Sequence, residues 1–325
     1  RGSMERRPVR LKEYTRSAIW GGHRLISDWG KQTDGENLAE AWELSVRAGE
    51  MATVSDGEFA GMPLDEYIRL CGGDCVSPAY HVGDRFPLLI KLIDAADTLS
   101  VQVHPDDAYA GRVEHDLGKT EMWYIVDAEP GASIVWGLRD GVSREAFAQA
   151  IHSGRIEECL HRQPVRAGEC YYIPAGMLHA IGGGILIAEI QQNSDLTYRV
   201  YDYNRRGADG KLRELHVQKA LDVTRGFTPE EVRAQQFARG DSPVSGGELL
   251  ADSRYFRVVR YPVKGELSLC VDTESFVSLL CVDGAGSLLY GNEKYPVERG
   301  DSYFLPAGMG EYRVSGDMTL IASRL

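Results

Sequence analysis

Polar and apolar side chains alternate in the stretch DTLSVQVHPDD at 97–107. In an extended chain every second residue lies on the same face, so Ser100, Gln102 and His104 share one face of a predicted strand. The intervening Leu and Val residues share the other face and would enter the core. Three adjacent polar side chains turned towards an interior are costly unless a partner satisfies them. A lone histidine is more often an ordinary hydrogen-bonded residue than a ligand, but this triplet favours a binding site.

A second stretch, GKTEMWYIV at 118–126, repeats the alternation and places Lys119, Glu121 and Trp123 on one side. Taken alone, a charged pair on such an apolar strand is equally well explained as a solvated edge. Only one helix-like segment, 105–118, separates it from His104. We therefore expect Lys119 and Glu121 to belong to the same site.

A third stretch is PAGMLHAI at 174–181, where His179 follows a Pro-Ala-Gly turn. Polar residues at odd positions follow it in the run to Gly207, and a continuous extended chain would place many of them on one side. They are Glu189, Gln191, Asp195, Thr197 and Arg199. A turn near 193–195 would break this phase. Glu and Arg turned inwards indicate paired charges around a polar ligand.

Together these stretches supply one amide, two imidazoles and one carboxylate, from Gln102, His104, Glu121 and His179. Such a mixed set of nitrogen and oxygen ligands suits Zn²⁺ or another first-row divalent ion at a catalytic site. Lys119 and Arg199 are nearby cations that could receive a phosphate or stabilise a developing oxyanion.

The composition is that of an ordinary globular protein and excludes several functional classes. The chain has 325 residues with a net charge of −12, 43% apolar and 26% charged residues, and six cysteines without a regular framework. No apolar run reaches the roughly 18 residues of a membrane span, and the amino terminus lacks a secretory signal. We expect a cytoplasmic protein with reduced thiols, no membrane partner and no nucleic-acid partner, since phosphate contacts need a basic face. The oligomeric state is left open by the sequence.

The elements that must position these residues are mostly short strands. Eight β-branched or aromatic stretches are separated by Gly, Asp and Pro clusters, which favours a sandwich or barrel. They lie at 87–95, 98–104, 120–126, 132–138, 185–192, 197–203, 255–263 and 276–282. Helices are predicted at 143–160 and at 228–236, the latter with Thr, Pro and Glu at its first positions.

An internal repeat relates 163–179 to 295–311 at a constant offset of 132 residues, with eight of seventeen positions identical. His179 of the first copy is replaced by Glu311 in the second, and all eight histidines lie at or before residue 216. The polar, Gly-rich stretch at 239–247 predicts a boundary between the two repeats. We predict a catalytic metal-binding domain at 1–240 with helical decorations, and a metal-free β domain at 241–325.

The spacing Gly168-x5-Pro174-x-Gly176-x2-His179 resembles the second metal motif of cupins. Other motifs, spread over almost the entire chain, resemble those of type I mannose-6-phosphate isomerases of the short bacterial form. They are IWGGHRL, AEAWELS, SVQVHPDD, GKTEMWY, PAGMLHAI and the run from Glu189 to Arg199. The resemblance implies two cupin-type jelly-roll barrels, a bicupin, with a few peripheral helices.

The resemblance also implies a zinc-dependent aldose–ketose isomerase that interconverts mannose 6-phosphate and fructose 6-phosphate through a cis-enediol(ate), with one Zn²⁺ per chain. By matched motif, Gln102, His104, Glu121 and His179 resemble its zinc ligands, and Arg199 its active-site arginine. Lys119, Ser100, Glu189 and Asp195 match pocket positions. A long helical insertion found in longer members is absent before His179.

The residues leave several roles open. Lys119, Glu189, Asp195 and a metal-bound water are all candidates for the proton-transferring groups, and we favour Arg199 and Lys119 as the essential pair that does not bind the metal. Two other functions fit the same fold. One is an iron dioxygenase, against which Gln102 and Lys119 count. The other is a non-catalytic sugar-phosphate-binding bicupin, which would be expected to lack a complete ligand set.

Overall fold

The computed structural model describes residues 4–325, and strands outnumber helices there. The strands β1 to β19 are, in chain order, Val9–Lys12, Tyr14–Arg16, Glu40–Leu44, Thr53–Val54, Leu88–Ala95, Val101–Val103, Glu121–Ala128, Ser133–Leu138, Leu160–Pro164, Cys170–Ile173, His179–Ile181, Ile185–Gln192, Tyr198–Tyr201, Glu248–Asp252, Arg257–Val271, Val277–Tyr290, Glu293–Glu298, Ser302–Leu305 and Gly310–Arg324. The helices α1 to α6 are Arg24–Ser27, Leu64–Cys71, Asp107–Glu114, Arg144–His152, Val217–Val223 and Pro229–Gln236, with short 3-10 helices at Gly73–Cys75 and Ile156–Cys159. The predicted mainly β architecture with a few helices is confirmed.

The chain folds into two compact units, each assembled from separate segments. Residues 4–14, 41–91 and 237–325 belong to the first unit, and residues 15–40 and 92–236 to the second. The predicted division into 1–240 and 241–325 thus differs from the observed one. The predicted boundary at 240/241 lies close to an observed one at 236/237. The segments at 4–14 and 41–91, however, belong with the carboxy-terminal strands.

The first unit contains a sheet with the strand order β14-β15-β19-β16-β18-β1-β4, and β17 pairs with β16. The longest pairing joins β15 to β19 from Arg257 opposite Arg324 to Val271 opposite Gly310. Apolar side chains of these strands, including Val263, Leu288 and Leu320, form a buried cluster. Burial of this apolar surface is the main force that stabilises the unit.

The second unit contains a five-stranded sheet with the order β13-β6-β11-β8-β9, and sheet strands in the order β10, β7, β12 and the part of β5 from residue 92. The apolar face of the five-stranded sheet packs with residues of α4 and α5 into a buried cluster that includes Val101, Val103 and Leu178. Because side chains alternate along a strand, the residues between them project from the opposite face. That face carries the polar residues singled out above.

The predicted helix at 143–160 is interrupted. Ser143 accepts a hydrogen bond from the Ala146 amide and begins α4, but Gly154 at φ +72° ends it before the following 3-10 turn. The predicted capping box at 228–236 is present, since the Thr228 and Glu231 side chains each accept a bond from the other's amide at 3.1 Å. Within residues 4–325, no helix is long and apolar enough to cross a membrane.

Candidate active site

Three of the candidate residues stand side by side on the five-stranded sheet. Gln102 of β6 pairs with His179 of β11 on one side and with Arg199 of β13 on the other. Directly opposed residues on neighbouring strands project from the same face, with Cβ atoms about 5 Å apart. The three side chains therefore leave the sheet together, on the face away from the helices.

The other sheet supplies the acidic residues. Glu121 of β7 pairs with Gln191 of β12, and two residues further along Trp123 pairs with Glu189. All four side chains lie on one face, because their positions are two apart on each strand. The Trp123 indole Nε1 donates a hydrogen bond to Glu189 Oε1 at 3.1 Å and fixes that carboxylate.

The two sheets bring His104, Glu121 and His179 together. The Nε2 atoms of the two imidazoles lie 3.0 Å apart, and Glu121 Oε1 lies 3.4 Å from His104 Nε2 and 3.1 Å from His179 Nε2. All three residues are at most 2% exposed. They form the one group of metal-ligating side chains found in the described part of the chain.

Backbone carbonyls define the orientation of both imidazoles. His104 Nδ1 donates to the Leu196 carbonyl at 2.8 Å, and His179 Nδ1 donates to the Met177 carbonyl at 2.9 Å. A neutral imidazole that donates from Nδ1 has a lone pair on Nε2. The lone pairs and the Glu121 carboxylate thus converge on one point, an arrangement that is repulsive until a cation or a proton lies between them.

The electrostatic surroundings keep this donor set ready for a cation. Burial, and then the Lys119 ammonium, lower the pKa of His104 to about 3, so its imidazole is neutral near pH 7. Burial alone would raise the pKa of Glu121, but the Lys119 ammonium helps to hold it well below its ordinary value, so the carboxylate is ionised. Lys119 Nζ lies 3.7 Å from Glu121 Oε2, an atom without a hydrogen-bond partner among residues 4–325.

Arg199 is half-buried beside this group. Its Nη1 donates to the Glu214 carbonyl at 2.8 Å, whereas its Nε has no hydrogen-bond partner in the described chain. Burial, and then the neighbouring Arg213 guanidinium, lower the pKa of Arg199. An arginine nevertheless stays cationic in proteins, so Arg199 presents a fixed positive charge with donor capacity left over.

The remaining predicted residues are placed at different depths. Ser100 and Glu189 are buried, and Ser100 precedes β6 in the same alternation as Gln102. Asp195 is exposed in the loop between β12 and β13, where its carboxylate lies 3.8 Å from Arg16 Nη1. Strand pairing and contacts therefore bring Gln102, Arg199, Glu189 and Lys119 to the sheet faces that carry Glu121 and His179, whereas Asp195 lies on an exposed loop.

A glycine turn places His179. Gly176 has φ +89°, its amide donates to the His104 carbonyl at 2.9 Å, and its carbonyl accepts from the Arg225 amide at 3.0 Å. A Cβ at this position would lie 2.9 Å from the Val223 carbonyl oxygen, so only glycine fits. The turn thus ties the backbone of one histidine to the strand that bears the other.

Among residues 4–325, the corresponding turn of the repeat leads to no group of three metal-ligating side chains. Glu311 in β19 is exposed, while its neighbour Tyr312 enters the buried cluster of the first unit. The side chain that replaces His179 therefore points away from that core.

Residues after β13 were missed by the sequence analysis. Asp202 is buried and accepts hydrogen bonds from Arg205 and Arg213, and His216 contacts the backbone of Arg199. The signal available was the acidic residue followed by a run of arginines in DYNRRG, which reads equally well as a polar loop.

Family models, relatives of known sequence and solved structures all point to the same family. The type I phosphomannose isomerase catalytic domain matches residues 9–131, and the mannose-6-phosphate isomerase cupin domain matches residues 248–325. The chain is 37% identical to the mannose-6-phosphate isomerase of Streptococcus mutans, over 97% of this chain and 98% of that protein. It is 36% identical to the mannose-6-phosphate isomerase ManA of Bacillus subtilis, over 99% of this chain and 100% of that protein.

Solved structures of mannose 6-phosphate isomerases resemble this chain in fold. The crystal structure of a mannose 6-phosphate isomerase from Bacillus subtilis superposes with a TM-score of 0.87 at 36% identity, covering 98% of this chain and 99% of that one. A mannose 6-phosphate isomerase bound with zinc and yttrium shares the fold, with a TM-score of 0.71 at 17% identity over 97% and 98% of the two chains.

A mainly β fold with a cupin domain and a buried His–Glu–His group defines a cupin-type enzyme with a potential metal site. The chain belongs to the type I phosphomannose isomerase family. The predicted enzyme class, an aldose–ketose isomerase acting on mannose 6-phosphate, is thereby confirmed, as is the predicted cupin-type fold.

Proposed function

We propose that this isomerase binds one zinc ion per chain through Gln102, His104, Glu121 and His179, and interconverts mannose 6-phosphate and fructose 6-phosphate through a cis-enediol(ate). One observation carries the proposal: two imidazole lone pairs and a carboxylate oxygen converge in a buried space. Ligand atoms about 2.1 Å from a tetrahedral Zn²⁺ lie about 3.4 Å from one another. The separations of 3.0, 3.1 and 3.4 Å among the three donors support such an ion.

Gln102 would complete the ligand set. In support, Gln102 lies opposite His179 in the pairing of β6 with β11, and directly opposed residues project from the same face of a sheet. An amide oxygen is an uncharged ligand of the kind that divalent cations accept alongside imidazole and carboxylate. A bound Zn²⁺ would supply Lewis-acid polarisation of the sugar oxygens.

The side chains around the ion would handle the charge and protons of the isomerisation. The proton on C2 of the aldose must leave, and the electron pair of that bond becomes the C1–C2 double bond while the aldehyde oxygen takes a proton. The reverse steps then return a proton to C1 and form the ketone at C2. Negative charge develops on the two oxygens, and Arg199, with its unpartnered Nε, would stabilise it.

Lys119 would act in proton transfer. It is buried against Glu121, so it lies next to the proposed ion and away from bulk water. Removal of water strengthens such polar interactions at the reacting atoms. Ser100 and Glu189 would contact sugar hydroxyls, with Glu189 held in place by Trp123, and Asp195 would contact a sugar hydroxyl from its exposed loop.

A coupled assay on mannose 6-phosphate tests the proposal, with zinc content measured on the same samples. We expect one zinc per chain, loss of turnover on chelation and recovery when zinc is returned. In D₂O, substrate recovered after many turnovers should carry deuterium at C2. Full turnover after the metal has been removed would contradict the zinc site, and absence of solvent deuterium would contradict the enediol route.

Two other outcomes would point to the alternative functions. Iron in place of zinc together with oxygen consumption would indicate a dioxygenase. Binding of mannose 6-phosphate without turnover in the zinc-loaded protein would indicate a sugar-phosphate-binding module.

A further inference from the structure

The segment 202–216, here called the Arg199 strap, leaves β13 and returns to it. Asp202 is 6% exposed and accepts three side-chain hydrogen bonds. Arg213 donates two of them, from Nε to Oδ2 at 2.8 Å and from Nη2 to Oδ1 at 2.6 Å, and Arg205 Nη2 donates the third to Oδ1 at 2.7 Å. A forked arginine–carboxylate pair of this kind fixes the relative orientation of its two residues.

The strap closes on Arg199 itself. Glu214, the residue after Arg213, offers the carbonyl that accepts from Arg199 Nη1 at 2.8 Å. The His216 amide donates to the Arg199 carbonyl at 2.7 Å, and His216 Nδ1 accepts from the Arg199 amide at 3.2 Å. The backbone polar groups of Arg199 and one arm of its guanidinium are thus all held by two residues of the strap.

The strap starts in a conformation that its side chains must maintain. Tyr203 and Asn204 have φ +56° and +53°, in the left-handed region that residues with a Cβ adopt at a cost of about 1 kcal/mol or more each. Arg205, next in sequence, bonds the Asp202 carboxylate and the Thr98 carbonyl, and so ties this turn to the chain just before Ser100. Charge-assisted bonds to a buried carboxylate are strong enough to offset this strain.

We propose that Asp202 and Arg213 are positioning residues of the isomerase. Their ion pair fixes the strap so that the Glu214 carbonyl holds the Arg199 guanidinium towards the site formed by His104, Glu121 and His179. The inference rests on the catalytic role proposed above for Arg199. It adds a second layer to the site, built from residues that touch neither substrate nor metal. It also explains why a buried carboxylate on this loop is bound by two arginines rather than one.

The test is a double-mutant cycle between Arg213→Ala and Arg199→Ala in the zinc-loaded full chain. Asp202 keeps Arg205 as its partner in Arg213→Ala, so the fold should be retained. We expect kcat to fall about 10- to 100-fold, because displacement of a positioned catalytic group by about 1 Å has effects of this size. KM and zinc content should change far less. In the Arg199→Ala background the same substitution should have no further effect on kcat.

Matched variants separate positioning from general destabilisation. Arg206→Ala, on the same strap, removes a guanidinium that bonds the Gly210 carbonyl, and we expect kcat as in the parent chain. Asp202→Asn should resemble Arg213→Ala, and Asp202→Glu should restore part of kcat. Two outcomes would overturn this inference while leaving the role of Arg199 intact. In one, Arg213→Ala lowers kcat equally in the parent chain and in the Arg199→Ala background. In the other, Arg213→Ala leaves kcat unchanged although Arg199→Ala lowers it. Unimpaired Arg199→Ala would overturn the proposed role of Arg199 and the inference with it.

Discussion

At the scale of single residues, the donors of the site depend on one another for charge as well as position. His104, His179 and Glu121 face each other inside the second unit, and Glu121 is the one group among the three that brings negative charge. A cation bound there is balanced by that carboxylate and by nothing else in the group. Removing its charge while keeping its shape therefore isolates the electrostatic part of metal binding.

Glu121→Gln should retain less than one zinc per chain and lose turnover by more than about 100-fold, since even outer partners of metal ligands are worth about 10- to 100-fold. Metal content after dialysis and the rate on mannose 6-phosphate measure the two effects. Glu157→Gln is the matched control, because Glu157 is exposed and lies 3.8 Å from Arg162. A variant at 121 that keeps full zinc and full turnover would remove Glu121 from the ligand set.

The lowered pKa of His104 predicts how the chelated protein responds to acid. Its folded pKa of about 3 lies below the ordinary 6.5, so the unfolded chain binds a proton that the folded chain does not. The free energy of unfolding should therefore fall as pH drops from about 6.5 towards about 3. Urea unfolding of the chelated protein and of His104→Asn measures it. Identical pH slopes in the two proteins would refute this contribution.

The alternation in SVQVH and in KTEMW predicts which side chains share a face, because a strand with one buried face has only one way to orient its side chains. That the faces of two different sheets meet at His104, Glu121 and His179 depends on packing that the alternation does not encode. Asp202 and Arg213 could not be found in this way. Their ion pair depends on a turn in which Tyr203 and Asn204 adopt positive φ. Neither residue type demands that conformation.

At the scale of elements, the run from Glu189 to Arg199 changes sheets. β12 ends at Gln192 and β13 begins at Tyr198, and the two strands belong to different sheets of the second unit. The turn that the sequence left open near 193–195 is therefore present, and a single odd-numbered phase does not run through both strands. Glu189 and Arg199 still face the same site. The face that carries Glu189 also carries Glu121, and the face that carries Arg199 also carries His179.

The repeated Pro-Ala-Gly turn allows a controlled test of how an element positions the site. Gly176→Ala should cost about 1–2 kcal/mol for the left-handed φ and more for the contact with the Val223 carbonyl. It should also lower zinc content and turnover, since the turn leads directly to His179. Gly308→Ala has the same φ cost at φ +78°, but its Cβ would meet neighbours no closer than 3.5 Å. Chemical unfolding with zinc analysis compares the two.

We expect Gly308→Ala to be destabilised without losing zinc or turnover. If both alanine variants lost zinc equally, the turn at 176 would have no special part in placing His179. If neither lost zinc, the imidazole would be held by its strand alone.

At the scale of the whole molecule, the chain passes between its two units more often than a repeat of two hairpins suggests. β1, near the start of the chain, pairs with β18, with Val9 opposite Phe304. The repeat marks only one hairpin in each half, and short strands such as β1 and β4 have no sequence signal that names their partners. Long-range pairing of this kind is decided by which apolar faces can be buried together.

The division into units also predicts how zinc changes stability. All four proposed ligands lie within residues 92–236, so the free energy of ion binding adds to the second unit. Zinc at about 100 times its dissociation constant should stabilise that unit by about 2.7 kcal/mol, because only the folded state holds the site. In calorimetry of the chelated protein titrated with zinc, one transition should move to higher temperature if the units unfold separately. Glu121→Gln should show no such movement. No other part of the chain between residues 4 and 325 brings three metal-ligating side chains together, so this variant tests the proposed site directly. An equal rise in the variant would mean that zinc stabilises the protein without Glu121.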